Sequence, residues 1–350
     1  KNKMNPPPPK QKKAKQPNQS NNELKSLINE YFCPYLHGPN AAKANLLKHT
    51  FGTLFADRQV VLPIFQRRYC WTETIVEKYL IDAFKGGAHS LEKLIFYVAP
   101  QTNDSNNNLK KYLKEPTLCC IDGQQRTTTT MLILISARDL LNSKIFANNS
   151  KADRLAKNIE KVLFIVKPKT NNNNDMIRGC RFIPTFLDRP TFFELVFGST
   201  ATTTSTSTST STNSNNDNVS DDHILLRKQQ IDQILLSRLS TIDDEDQKLT
   251  QLSVLCENLL ASFQFFSYII EDAKAGSAVY QWMQQPKMGD AIGNPHPGEP
   301  MAFVDLVRNY ILSLVGSADH EWQENAYLNH WLPMEQRHTR VELYDRFESM

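Results

Sequence analysis

Apolar and polar residues alternate along this chain in blocks that predict a few short strands and then a mainly helical remainder. From Gln59 to Leu62, β-branched and apolar residues read as a strand closed by Pro63; "LPIFQRRYCW" then leads into a helix predicted from Glu73 to Phe84 and ended by Gly86 and Gly87. Leu94 to Val98 reads as a second strand and Leu118 to Ile121 as a third. The third stops at Asp122 and Gly123. From Gln124 to Phe146 the period is helical, with "MLILI" apolar on nearly every side, the mark of a buried helix. The order is therefore strand, tight turn and buried helix, with polar residues held at the helix start.

Beyond Phe146 the pattern predicts helices at Lys151 to Ile165, His223 to Ser240, Leu249 to Phe263, Ala278 to Met283 and Ala302 to Val315. In the last, Phe303, Leu306, Val307, Tyr310, Ile311 and Leu314 form one continuous face to bury, and Asp305, Arg308, Asn309 and Leu312 lie opposite. No repeat of about 20 to 50 residues is visible, which argues against a solenoid.

Composition changes this picture at the low-complexity segments. Residues 1–22 are rich in Lys, Pro, Gln and Asn, and residues 199–222 open with a tract that is nearly all Ser, Thr and Asn; neither has enough to bury, and both are expected to be disordered. Asn106 to Asn108 and Asn171 to Asn174 read as surface loops. The net charge of +3 hides an asymmetry. Residues 1–15 hold six Lys and no acid, Lys151 to Arg189 carry nine Lys or Arg against four acids, and residues 223–350 carry ten against eighteen. The middle segment is either a phosphate-facing surface or a solvated helix face, and no long basic stripe announces a duplex-binding surface.

Six cysteines (Cys33, Cys70, Cys119, Cys120, Cys180 and Cys256) include no C-x-x-C pair and no cluster at zinc spacing, so they are expected to be free thiols in a reducing compartment. No run approaches the roughly 20 apolar residues that span a bilayer, and no apolar signal core is present at the N-terminus. The expected location is cytoplasmic or nuclear, not secreted; "KQKKAK" is either a nuclear address or a solubilising tail.

Two segments carry candidate chemistry. Backbone N–H groups at a helix start lack intrahelical partners and sit at the positive end of the helix dipole, so the turn from Gly123 to Thr128 suits an anion. Gly123 permits close backbone approach, Arg126 offers a two-pronged donor, and Thr127 to Thr130, Thr127 and Thr128 above all, offer hydroxyls for caps, phosphate oxygens or a metal's water shell. Asp122 suits Mg²⁺ held through water, and Gln124 or Gln125 suits positioning of a nucleophilic water. The plainer alternative is that Asp122 caps the helix and that Gln124, Gln125 and Arg126 are solvated first-turn residues. In "FQRRYCW", Gln66, Arg67 and Arg68 precede Tyr69 and Trp71; the set either holds phosphate while the rings stack on a base, or the rings anchor a loop to the core.

"LPIFQRRYCW" followed some fifty residues later by "IDGQQRTTTTMLIL" resembles the paired signature of the GmrSD-type restriction enzyme N-terminal domain, the DGQQR-motif domain of the ParB/sulfiredoxin superfamily. "GEPMAFVDLVRNYIL" and "WLPME" are similar to later family segments, which extends the resemblance from about Gln59 to Glu335. It implies binding and Mg²⁺-dependent hydrolysis of a nucleoside triphosphate (GTP, ATP or UTP) at the DGQQR turn, controlling an HNH-type nuclease domain or subunit that acts on modified DNA. Carried over by position, the implied site is Gln66, Arg67, Asp122, Gly123, Gln124, Gln125 and Arg126, completed by Asp305, Arg308 and Asn309. For these last three the alternative is a surface ion pair with a polar neighbour. A non-catalytic nucleotide- or nucleic-acid-binding module on the same fold is the second functional reading.

Three departures qualify the resemblance. Thr127 and Thr130 stand where the family usually has Leu, "NPHPG" lacks the arginine of the family's N-x-R-G turn, and no HNH motif is recognisable in these residues, with His296 in a Pro-rich stretch. These 350 residues are therefore not expected to cut DNA alone. Sulfiredoxin-like reductase chemistry is disfavoured because the turn carries glutamines where a thiolate is needed. The expected fold is α+β: a ParB/sulfiredoxin-like small mixed sheet with a buried helix after the DGQQR turn, followed by a mainly helical region. The expected divisions are 1–22 tail, 23–150 nucleotide-binding domain, 151–198 helical extension, 199–222 insert and 223–350 helical completion.

Overall fold

The computed structural model describes residues 44–64, 66–87, 89–99, 112–166, 178–198, 222–271 and 325–337, with Val279 and Leu312 besides. The expected tail, residues 199–221 of the expected insert, the Asn-rich loops, and Asp305, Arg308 and Asn309 lie outside the described residues.

Chain order gives β1 (Ala44–Thr50), α1 (Phe51–Asp57), β2 (Val60–Val61), α2 (Glu73–Lys85), β3 (His89–Val98), β4 (Leu118–Asp122) and α3 (Gln124–Leu141). There follow α4 (Ser150–Leu163), β5 (Phe164–Val166), β6 (Arg178–Cys180), β7 (Phe182–Ile183), α5 (Arg189–Phe197), α6 (His223–Ser240), α7 (Glu245–Glu257), β8 (Phe263–Ile270) and α8 (Leu332–Arg337). The architecture is α+β, as expected. Six strands form one mixed sheet in the order β1-β8-β3-β4-β2-β7, and β5 and β6 make a separate antiparallel pair.

Strands β1, β5, β6, β7 and β8 go beyond the sequence reading, and β8 alters it most. The predicted helix from Leu249 to Phe263 instead ends at Glu257; one π-helical turn, Asn258–Ser262, passes the chain to β8. Phe263, Phe265, Ser267 and Ile269 alternate into the core, giving the period of two that "FQFFSYII" conceals behind apolar residues at the intervening positions. β8 lies parallel to β3 and antiparallel to β1. A strand from the expected helical completion therefore sits inside the sheet, and the sheet draws on residues from Ala44 to Ile270.

Helix α3 is buried along almost its whole length and packs against α4, α6 and α7. Residues 131–135 are all fully buried, which is what an all-round apolar helix requires. The predicted helix to Phe146 stops at Leu141, with a short 3₁₀ turn at Lys144–Phe146. Leu312, expected on a solvent face, is helical and 1% exposed. Its apolar side chain follows burial rather than the neighbouring polar stripe.

Candidate functional site

Strand β4 turns into α3 through Gly123, whose φ of 95° is left-handed and suits glycine. A Cβ there would meet Leu94 Cδ2 at 1.9 Å. The glycine is therefore required twice, by backbone conformation and by the close approach of β3. The intrahelical ladder begins at Thr127, whose N–H bonds Gly123 O at 3.0 Å, and no side chain caps the helix. The amides of Gln124, Gln125 and Arg126 thus precede the ladder at the positive end of an eighteen-residue buried helix.

The two glutamines, indistinguishable in the sequence, have different places. Gln125 is committed at both ends: its Oε1 accepts from Cys70 N at 3.0 Å and its Nε2 donates to Arg68 O at 3.2 Å. It pins the "FQRRYCW" loop to the helix start. Gln124 is 8% exposed, and its Oε1 is buried with no hydrogen-bond partner among the described residues. An acceptor in that state is costly unless a donor arrives.

Asp122 and Arg126 face each other at 3.4 Å, both partly exposed, and Arg126 Nη1 also donates to Leu91 O. Gln66, 4% exposed, donates Nε2 to Cys120 O at 3.3 Å and Ile121 O at 2.7 Å, latching the loop to the end of β4. Arg67 is half-buried.

Other expected site residues are corrected by their surroundings. Tyr69 and Trp71 are 3% and 5% exposed, and Trp71 packs edge-on against Tyr79, so these rings anchor the core instead of offering a face to a base. The hydroxyls of Thr127 and Thr128 donate to Gly123 O and Gln124 O, each at 2.9 Å, and both residues are buried. Their protons are already placed. Thr129 and Thr130 donate likewise to Gln125 O and Arg126 O, which leaves their oxygens to accept from Tyr69 Oη at 2.7 Å and Tyr79 Oη at 2.8 Å. Of the two threonines at expected leucine positions, Thr130 is thus satisfied inside the core by Tyr79 and by Arg126 O, and Thr127 by Gly123 O.

The sequence reading missed Asp188. It lies on the 3₁₀ turn Phe186–Asp188, is 3% exposed, and accepts from Arg68 Nε at 3.0 Å, Tyr69 N at 2.8 Å and Thr185 Oγ1 at 2.7 Å. Its neighbours in the chain did not mark it, because two of its three donors, Arg68 and Tyr69, lie some 120 residues upstream.

Cys119 and Cys120 are both buried, since β4 is covered on both faces. Burial pushes the Cys120 thiol well above its ordinary pKa, with Asp122 adding to the rise, and its Sγ donates to Asp122 O at 3.1 Å. A protonated buried thiol is unsuited to thiolate chemistry. Among the described residues no group of three His, Cys, Asp or Glu could hold a metal by itself, and no helix is long and apolar enough to cross a membrane. Two clefts among the described residues lie elsewhere: about 740 Å³ between α2, α6 and α7, and about 400 Å³ beside β1, Arg58 and Glu115.

A strand, a left-handed glycine and an uncapped buried helix, with an acid and an arginine at the turn, make an α+β domain with a candidate site at the helix start. The chain matches the GmrSD restriction endonuclease, N-terminal domain, over residues 51–282, and it belongs to that family. The match contains both "FQRRYCW" and "IDGQQR" and ends before the segments at Gly298 and Trp331. No curated protein matches the chain.

Proposed function

We propose that the start of α3 binds the phosphates of a nucleoside triphosphate and supports its hydrolysis, as a regulatory domain related to restriction enzymes. The observation that carries this reading is the buried, unpartnered Oε1 of Gln124 beside the uncapped amides of α3. The amides suit phosphate oxygens, and the Gln124 acceptor suits a water, which brings its own protons. That division assigns water positioning to Gln124; Gln125, already engaged, positions the loop.

Asp122 is the residue that would hold Mg²⁺ through water, a mode in which one or two carboxylates and the substrate phosphates suffice. When bound, the ion neutralises phosphate charge. Arg126 holds Leu91 O and Asp122 in the described state, so an anion would compete with Asp122 for its guanidinium. Asp305, Arg308 and Asn309 stay in the proposal as completing residues.

Purified protein given GTP, ATP or UTP with Mg²⁺ is expected to release phosphate. Gln124→Ala should lower turnover at least tenfold with little change in nucleotide affinity, and Arg126→Lys should weaken binding through loss of the two-pronged donor. Equal turnover in wild type and both variants would overturn the reading. The engaged state of Arg126 favours a second reading, a binding module without turnover, for which calorimetry would show nucleotide binding and no phosphate release. On either reading, a partner nuclease and modified DNA are proposed for the wider system, not for these residues alone.

A further inference from the structure

The "FQRRYCW" loop contains a second arginine whose setting differs from that of Arg126. Arg68 is held at one nitrogen only: its Nε donates to Asp188 Oδ1 at 3.0 Å, and neither Nη has a partner among the described residues. Its side chain is 29% exposed, whereas that of Asp188 is 3% exposed. Asp188 is fixed in turn, because Tyr69 N and Thr185 Oγ1 both donate to its Oδ2. The main chain of Arg68 is fixed as well, its carbonyl being bonded by Gln125, the second residue of α3. A guanidinium gripped at Nε, with both Nη groups open, has its fork already oriented and loses little freedom on meeting an anion.

We propose that Arg68 is a phosphate-holding residue of this site and that Asp188 is its positioning residue. This rests on the reading of α3 as a phosphate site. It extends that site from the helix start to the loop that Gln125 ties against it, and it selects for ligands with more than one phosphate. One phosphate meets the α3 amides and another meets the Arg68 fork. A lone phosphate engages only one of the two.

The ordinary alternative is that Arg68 merely neutralises the buried Asp188 carboxylate. Arg68→Lys separates the two, since lysine keeps the charge beside Asp188 and loses the fork. Calorimetry on the full chain with inorganic tripolyphosphate and with inorganic phosphate is the test. Arg68→Lys is expected to weaken tripolyphosphate binding about tenfold or more, leave phosphate binding within about twofold, and hold the thermal midpoint. Asp188→Asn should weaken tripolyphosphate similarly, and the double variant should be no weaker than either single one, because Asp188 acts through Arg68. Unchanged tripolyphosphate affinity in Arg68→Lys, or additive losses in the double variant, would overturn the inference. If wild type binds neither probe nor any nucleoside triphosphate, the phosphate reading of α3 fails first; if wild type binds and Arg68→Lys binds equally, only the role of Arg68 fails.

Discussion

Gln124 and Gln125 show how far one peptide unit can separate the fates of identical side chains. Gln125 satisfies a partly buried amide and a carbonyl of the loop, so Gln125→Met strands both and should cost about 1 to 3 kcal/mol. Gln124 carries an orphan acceptor, so Gln124→Met, similar in volume, removes a desolvated group and should leave stability unchanged or raise it by up to about 1 kcal/mol. Urea unfolding of the two variants side by side measures the contrast. Equal losses would mean that Gln124 is as structural as its neighbour. The spacing "DGQQR" was legible from residue types alone, but which glutamine is free depended on where Arg68 and Cys70 come to rest.

At the scale of elements, the junction of β4 and α3 is constrained both by backbone conformation and by packing. Gly123→Ala would impose an unfavourable positive φ and drive a methyl into Leu94. The expected loss is about 2 to 4 kcal/mol, combining backbone strain with overpacking. Leu94→Ala alone should also destabilise, by leaving a cavity in the core. Combined, the two should cost clearly less than their sum, since removing the Leu94 side chain relieves the clash and leaves the backbone term. Strict additivity in urea denaturation would show that the close approach of β3 is not what demands glycine. Periodicity identified α2, α3, α4 and α6 because each buries a helical stripe or its whole circumference. It missed β8 because a strand apolar on both faces leaves no alternation to read.

Over the whole molecule, buried acids that stay protonated set a direction for alkaline stability. Burial pushes the thiols of Cys180 and Cys256 up to about 12, and it raises Tyr69, Tyr79 and Tyr97 above their ordinary range. In the unfolded chain thiols ionise near about 8.5 to 9 and phenols near about 10. The folded values are the higher ones, so this contribution is complete below about pH 8.5 and is lost progressively as pH rises toward about 12. Each thiol ionised only in the unfolded chain removes about 1.4 kcal/mol per pH unit. The urea midpoint should hold from pH 7 to about 8.5 and then fall. Cys256→Ala should lower the plateau and flatten the fall; a profile level to pH 11 would contradict the burial of these groups.

The sequence by itself determined what depends on neighbours in the chain: the tight turn between β4 and α3, the buried character of α3, the glycine that lets the backbone approach closely at that turn, and the two motifs that mark the family. Each is a local requirement of backbone conformation or helical period, so residue type and spacing suffice to express it. Tertiary structure alone decided the rest. It inserted β8 between β1 and β3, turned Tyr69 and Trp71 from candidate stacking faces into core, paired Thr129 and Thr130 with Tyr69 and Tyr79, and placed Asp188 against Arg68. Such outcomes arise from pairings between residues 50 to more than 200 positions apart, where burial and the need to satisfy every polar group select the partner. No local pattern encodes that choice, because the same side chain suits water, a ligand or a distant carbonyl until the chain has folded around it.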